Sequence, residues 1–135
     1  RTPMQWDASS YAGFSTVESW LPVNPDHWER NVKRQAQDPH SMLNLVKSLL
    51  RLRRESPALV AGAYETVAAP EGVYAYFRAT AEERILVALN FTPKPRILRA
   101  TGGRVLVSTH LDRNGSEVGP LLLRENEGIV LRLSR

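Results

Sequence analysis

At Gly62 the hydrophobic period of the chain changes, and that switch bounds every fold open to it. Before it, Met42, Leu45, Val46, Leu49 and Leu52 recur at steps of three and four along residues 41–56, the spacing of one helical face. Leu43 and Leu50 widen that face beyond a narrow stripe, which predicts a helix buried on two sides. Asp38-Pro39 is the expected start, with Ser41 as a rival cap, and Pro57 the expected stop. After Gly62 the period is two. Val73, Ala75 and Phe77 alternate with Tyr74, Tyr76 and Arg78, and residues 84–91 are apolar on both faces, as in a central strand. Further strands are expected at 63–69, 96–100, 104–109, 121–123 and 129–133. Turn residues separate them: Pro70-Glu71-Gly72, Pro93 and Pro95, Gly102-Gly103, Asn114-Gly115 and Asn126-Glu127-Gly128. A helix followed by many short strands predicts an α+β chain, mainly β, ending in an antiparallel sandwich or barrel.

The first 37 residues carry little periodicity. Pro3, Pro22 and Pro25 interrupt regular structure, while Trp6, Tyr11, Phe14, Trp20 and Trp28 make the stretch aromatic. An irregular loop of this kind packs on a scaffold or lines a site.

Composition narrows the classes of function. The chain has 135 residues, 42% hydrophobic and 24% charged, enough for a globular core and unlike a disordered chain. Its net charge of +4 comes from scattered Lys and Arg, so a nucleic-acid stripe is not expected. Without cysteine there is no disulfide framework and no thiolate metal site, and a cytoplasmic location is expected. No apolar run is long enough to cross a bilayer, so no membrane partner is expected. A start at Arg1, inside a motif, reads as truncation or processing. His27, His40 and His110 lack ligand spacing, no paired carboxylates stand out, and there is neither a G-x-S-x-G nor a phosphate loop. Glu82 and Glu83 fall together in a turn and read as solvated. The residues by themselves describe a loop, a helix and a β domain without an autonomous active site, and neither cofactor nor metal is expected.

Longer motifs carry a resemblance. Arg1-Thr2-Pro3-Met4-Gln5-Trp6-Asp7, Ala12-Gly13-Phe14-Ser15 and Trp20-Leu21-Pro22-Val23-Asn24-Pro25 resemble the C-terminal third of the α-glucosidases of glycoside hydrolase family 13. Asn31-Val32, Leu52-Arg53-Arg54, Pro57-Ala58-Leu59 and Leu86-Val87-Ala88-Leu89-Asn90-Phe91 continue the match. The resemblance implies that residues 1–61 are the rim loop and last helix of a catalytic (β/α)8 barrel, and that residues 62–135 are its C-terminal β-sandwich. The parent would hydrolyse α-glucosidic bonds of short oligosaccharides with retention. The family's catalytic carboxylates lie on earlier strands, so no catalytic residue carries over. Arg1, Gln5 and Trp6 match positions near the substrate-binding rim, with bracing of the loop as their alternative role. The implied partners are the parent's catalytic barrel and an oligosaccharide. Two other readings stand beside this one. The β domain could be an independent carbohydrate-binding module, its aromatics Tyr74, Tyr76 and Trp28, or the chain could belong to a non-catalytic amylase-like scaffold.

Overall fold

The computed structural model describes residues 1–99 and 102–134. It divides into two compact units, residues 1–47 and 48–135. The first holds a 3₁₀ turn at Ser10–Gly13, a short helix α1 (Val32–Gln37) and the first residues of α2 (Met42–Glu55). The second holds the rest of α2, α3 (Pro57–Ala61) and eight strands: β1 (Ala63–Thr66), β2 (Val73–Ala79), β3 (Arg84–Asn90), β4 (Arg96–Leu98), β5 (Gly103–Ser108), β6 (Glu117–Val118), β7 (Leu121–Leu123) and β8 (Gly128–Leu133).

The strands are antiparallel throughout. Six form one sheet in the order β1-β2-β3-β8-β5-β6, and β4 pairs with β7 in a second. β3 lies between β2 and β8, as its two apolar faces predict. Alternate residues divide the six-stranded sheet into two faces. Ala75, Leu86, Ala88, Val105, Ile129 and Leu131 cluster with Leu98 of β4 and with Leu121 and Leu123 of β7. The small sheet thus covers one face of the large one. On the other face Ile85, Val87 and Val130 cluster with Ala58 of α3, with Leu52 and Leu59 beside them.

Several boundaries differ from expectation, each for a local reason. α2 starts at Met42 because Ser41 caps it: the Asn44 N–H donates to Ser41 Oγ at 3.2 Å. Asp38 instead closes a turn, accepting from the His40 N–H at 2.9 Å. Residues 32–37 form a helix that periodicity did not reveal; Asn31 caps it, its side chain accepting from the Arg34 N–H. Pro57 does end α2, and it also occupies the first position of α3, a site that needs no N–H. β4 ends at Leu98, short of the expected 96–100, whose last residue Ala100 lies outside the described set. β1 ends at Thr66 rather than 69. Glu83 is not merely solvated. Its carboxylate accepts from Ser56 Oγ and, at 2.6 Å, from Arg132 Nη2, tying the start of α3 to β8. Asn90, inside the strand expected at 84–91, is a buried hub. Its Nδ2 donates to the carbonyls of Lys94 and Arg124, and its Oδ1 accepts from Thr92 Oγ1, each at 2.8 Å.

Leu131 is fully buried against Leu86 and Val105. Truncating it, Leu131→Ala, is expected to cost about 2–5 kcal/mol in urea unfolding. Phe91→Ala, at a side chain 70% exposed, should change the midpoint by less than about 0.5 kcal/mol.

Candidate functional site

Two places could serve a ligand or partner: the loop of the first unit and an open groove on the second.

The loop is fixed by hydrogen bonds to α1. The first N–H groups of a helix lack partners within it. Here the Val32 N–H donates to Gln5 O at 2.9 Å and the Lys33 N–H to Trp6 O at 3.0 Å. The Gln5 side chain adds two more bonds, from Nε2 to Asp26 Oδ1 at 2.8 Å and to Arg30 O at 2.7 Å. Both of its amide protons are thereby committed to bracing the loop. Downstream, Trp6 N–H and Asp7 N–H both donate to Ala12 O. Tyr11, Ala12 and Gly13 are consecutive left-handed residues, with φ of 55°, 57° and 65°. Two of them are not glycine, a backbone cost that the surrounding bonds must offset. At Gly13 a Cβ would meet Asp7 Oδ1 at 2.8 Å, so no side chain fits. Asp7 accepts from the Ser9 hydroxyl and the Ser9 N–H, which hold its carboxyl below the usual range. Arg1 and Trp6 are exposed. Of the three rim candidates, then, Gln5 is turned inward as a brace, while Arg1 and Trp6 are available at the surface.

His27 is buried, with Nδ1 against Asn24 O at 3.0 Å and its ring 4.4 Å from that of Trp28. Its Nε2 and Arg113 Nε are buried without a hydrogen-bond partner among the described residues. No group of three His, Asp or Glu among the described residues could hold a metal ion. Nor does any described helix have the length and apolarity to cross a membrane.

The groove lies on the face of the large sheet turned away from β4 and β7. Strand register lines up Tyr76, Val87, Val130 and Val107 across β2, β3, β8 and β5. Leu49 and Leu52 of α2 and Leu59 and Val60 of α3 wall a space of about 620 Å³ above them. Tyr64, Tyr74 and Tyr76 form a cluster at one end. The ring centres of Tyr64 and Tyr76 are 5.3 Å apart, those of Tyr74 and Tyr76 5.5 Å. The Tyr64 and Tyr74 hydroxyls bond to each other at 2.8 Å. Hydrogen bonds from Thr66 and Tyr74 acidify Tyr64, while Tyr74 keeps its proton more tightly because it shares it with Tyr64. Tyr74 and Tyr76 were singled out in the sequence. Tyr64 was not, although its pairing with Arg78 puts it on the same face.

The perturbed carboxylates of the second unit, Glu83, Asp112 and Glu127, are tied into ion pairs rather than poised for proton transfer. Glu127 is fully buried. Burial alone would raise its pKa, but Arg124, the Arg124 N–H, Ser108 and Arg113 together pull it down. Arg113 Nη2 lies 2.8 Å from Glu127 Oε2 and Arg124 Nη2 2.7 Å from Oε1. Arg124 also grips Asp112 through both guanidinium ends, at 2.6 and 2.7 Å, and holds that carboxyl far below its usual value. At Glu83, burial is likewise outweighed by Ser56, Arg132 and the Ala58 N–H. A general acid needs the opposite shift, and Glu83, Asp112 and Glu127 do not show it.

The chain is similar to known proteins. The α-amylase catalytic domain matches residues 1–62. An oligo-1,6-glucosidase of Parageobacillus thermoglucosidasius is 39% identical over 73% of this chain and 18% of its own length. An oligo-1,6-glucosidase of Bacillus cereus is 34% identical over 98% of this chain and 25% of its own. Among solved structures, an isomaltulose synthase from Klebsiella sp. LX3 superposes with a TM-score of 0.84 and 33% identity, over 98% of this chain and 25% of that one. The trehalulose synthase MutB from Pseudomonas mesoacidophila MX-45 gives 0.83 and 33%, over 99% and 25%. The chain thus spans a quarter or less of the length of these relatives.

Two outcomes follow from the geometry. Replacing Gln5 by Leu removes two hydrogen bonds and is expected to cost the first unit about 1–2 kcal/mol, read by amide exchange of residues 5–31. Arg1→Ala should leave that exchange unchanged. Glu83, Asp112 and Glu127 have folded pKa values below their unfolded ones. Their contribution is therefore complete above the unfolded carboxylate value of about 4 and is lost as pH falls through the folded values. The urea midpoint should be flat from about pH 7 to 5 and fall steadily below about 4.

Proposed function

The chain belongs to the α-amylase family, glycoside hydrolase family 13, and we propose that it is the C-terminal portion of an α-glucosidase of that family. In this reading residues 1–61 end a catalytic barrel with its rim loop and last helix, and residues 62–135 form the sandwich domain that follows. The observation that carries it is the change of character at Gly62. The catalytic-domain match ends there, and the antiparallel strands begin one residue later, at Ala63.

The division of labour follows from the chemistry present. The parent enzyme, acting in the cytoplasm, cleaves terminal α-glucosidic bonds of short oligosaccharides through a covalent glucosyl-enzyme. This chain contributes structure and a pocket-rim loop. Arg1 and Trp6 face the substrate rim, and Gln5 fixes the loop that carries them. The nucleophile and the acid/base belong to the rest of the enzyme. Support comes from the perturbed carboxylates of this chain, all held ionised by arginine or by local donors. The curated relatives named above are oligo-1,6-glucosidases, which favours hydrolysis over isomerisation. Exposed apolar side chains on α2, Met42, Val46 and Leu50, fit a helix that a larger body covers in the whole enzyme.

A second reading has one observation in its favour. Tyr74 and Trp28 are about half exposed, and Tyr74 sits in a cluster of three aromatic rings, a platform of the kind that stacks on sugar faces. Titration separates the two. An independent sugar-binding module would quench Trp emission or shift tyrosine resonances when maltose or isomaltose is added to the 135-residue chain. A structural part would do neither.

For the principal reading, the purified chain is expected to show no turnover of p-nitrophenyl α-glucoside, whereas the chain joined to the barrel of a relative should hydrolyse it. Turnover by the chain alone would sink the proposal.

A further inference from the structure

We propose that Asn114 and Gly115 form a spontaneous modification site. The pair closes to a succinimide and reopens as isoaspartate, and the folded sheet edge gates that reaction.

The chemistry belongs to the pair. Of the six asparagines in the chain, Asn114 alone precedes a glycine. Without a Cβ, Gly115 leaves its nitrogen open to the neighbouring side chain. That nitrogen loses its proton to hydroxide and attacks Asn114 Cγ. The new C–N bond closes a five-membered ring, while the side-chain nitrogen takes a proton from water and leaves as ammonia. Water then adds to either ring carbonyl. Opening at one gives Asp. Opening at the other routes the backbone through the side chain, as isoaspartate, and lengthens it by one atom. Both residues are exposed, so water and hydroxide reach them.

The fold holds the reacting atoms apart. Arg113 O accepts from the Ser116 N–H at 3.3 Å, and Gly115 has a φ of 84°, the features of a type II turn with glycine as its third residue. This turn sends the Gly115 N–H to Val105 O at 2.7 Å. The proton that must leave is therefore held by a carbonyl of β5. Asn114 Oδ1 accepts from the Ser108 N–H at 2.9 Å, which fixes the side chain and polarises the carbonyl that is attacked. The electrophile is primed and the nucleophile is locked. That lock sits on a weak element. β6 lies at the edge of the sheet, and its register with β5 covers two pairs, Gly103 with Val118 and Arg104 with Glu117. Beside it β5 slips register against β8 between Val105 and Val107. A short edge of this kind opens far more readily than the core of its sheet.

Once formed, isoaspartate reaches beyond the turn. Arg113 Nη2 holds Leu122 O at 3.1 Å and Glu127 Oε2 at 2.8 Å. Ser108 is fully buried, and its Oγ donates to Glu127 Oε1 at 2.7 Å. An added backbone atom after residue 114 misaligns the turn, removes the acceptor from the Ser108 N–H and loosens Arg113 beside it. An N–H left without a partner is destabilising. The edge that opened to react no longer closes as before, so each opening that reacts leaves a lasting mark.

The test holds the 135-residue chain at mildly alkaline pH and body temperature, beside a synthetic peptide of residues 110–119 as the unlocked reference. Peptide mapping and methylation by an isoaspartyl methyltransferase read the product. Conversion is expected at Asn114 before any other asparagine, about tenfold or more slower than in the peptide. It should accelerate in urea well below the unfolding midpoint. Asn114→Gln, whose ring would be six-membered, should abolish it, with circular dichroism confirming the fold. The purified isoaspartyl form should melt lower by about 4 °C or more. Equal rates in chain and peptide overturn the lock. Acceleration that begins only with global unfolding overturns the gate at the β5–β6 edge. An unchanged melting temperature overturns the coupling to Arg113 and Ser108.

Discussion

β3 is apolar on both sides, and that single constraint organises the β domain. Leu86 and Ala88 point into the cluster shared with β4 and β7. Ile85 and Val87 point the other way, to α3 and the groove. A strand of this kind cannot sit at a sheet edge or face water, so it needs neighbours in the sheet and cover above and below. The neighbours are β2 and β8. The covers are unequal. The two-stranded sheet brings Leu98, Leu121 and Leu123, all at most 1% exposed, whereas α3 brings buried Ala58 and partly buried Leu59. The less covered face is the one walled in part by residues of the catalytic-domain match.

Polar side chains hold the ends of this arrangement in place. Asn90 gathers the turns at one end of β3. Glu83, at the other, ties Ser56 and the Ala58 N–H to Arg132. Glu127 sits just before β8 and fastens Arg113 and Arg124 through four hydrogen bonds, one of them from the Arg124 backbone N–H, and accepts a fifth from Ser108 Oγ. Buried charges of this kind contribute little if traded for well-packed apolar groups, yet losing one partner is costly. They define where loops attach, and their pairing makes the fold sensitive to acid.

Much of this was legible in the sequence, and the exceptions share a cause. β2, β3, β7 and β8 announce themselves by alternation or by continuous apolar runs, because burial dictates them position by position. The central place of β3 could be read directly from Ile85, Leu86, Val87, Ala88 and Leu89. What escaped was set by contacts distant in sequence. α1 is short and polar, and it forms because the carbonyls of Gln5 and Trp6 meet its first N–H groups. Asp38 and Ser41 are both good caps, and only the backbone path decides between them. Glu83 reads as a turn residue until Arg132, far along the chain, closes on it. At the candidate rim the sequence offered Arg1 first, then Gln5 and Trp6, and geometry turns Gln5 inward. Tyr64 falls in the strand expected at 63–69 but was not named beside Tyr74 and Tyr76, because that strand is exposed along its length.

The strand order has a consequence for how such a chain comes into being. β8 is the last strand made, yet it lies in the middle of the large sheet, between β3 and β5. Ile85 waits for Arg132, and Val105 for Leu131. During synthesis β1, β2 and β3 can zip together as neighbours in sequence, but the growing sheet then stops at an open, wholly apolar edge. β5 cannot join it, since its place is one strand farther out. Nearly the whole domain must leave the ribosome before the gap is filled, which puts slow, long-range closure late in its folding and leaves the nascent domain most adhesive just before β8 emerges.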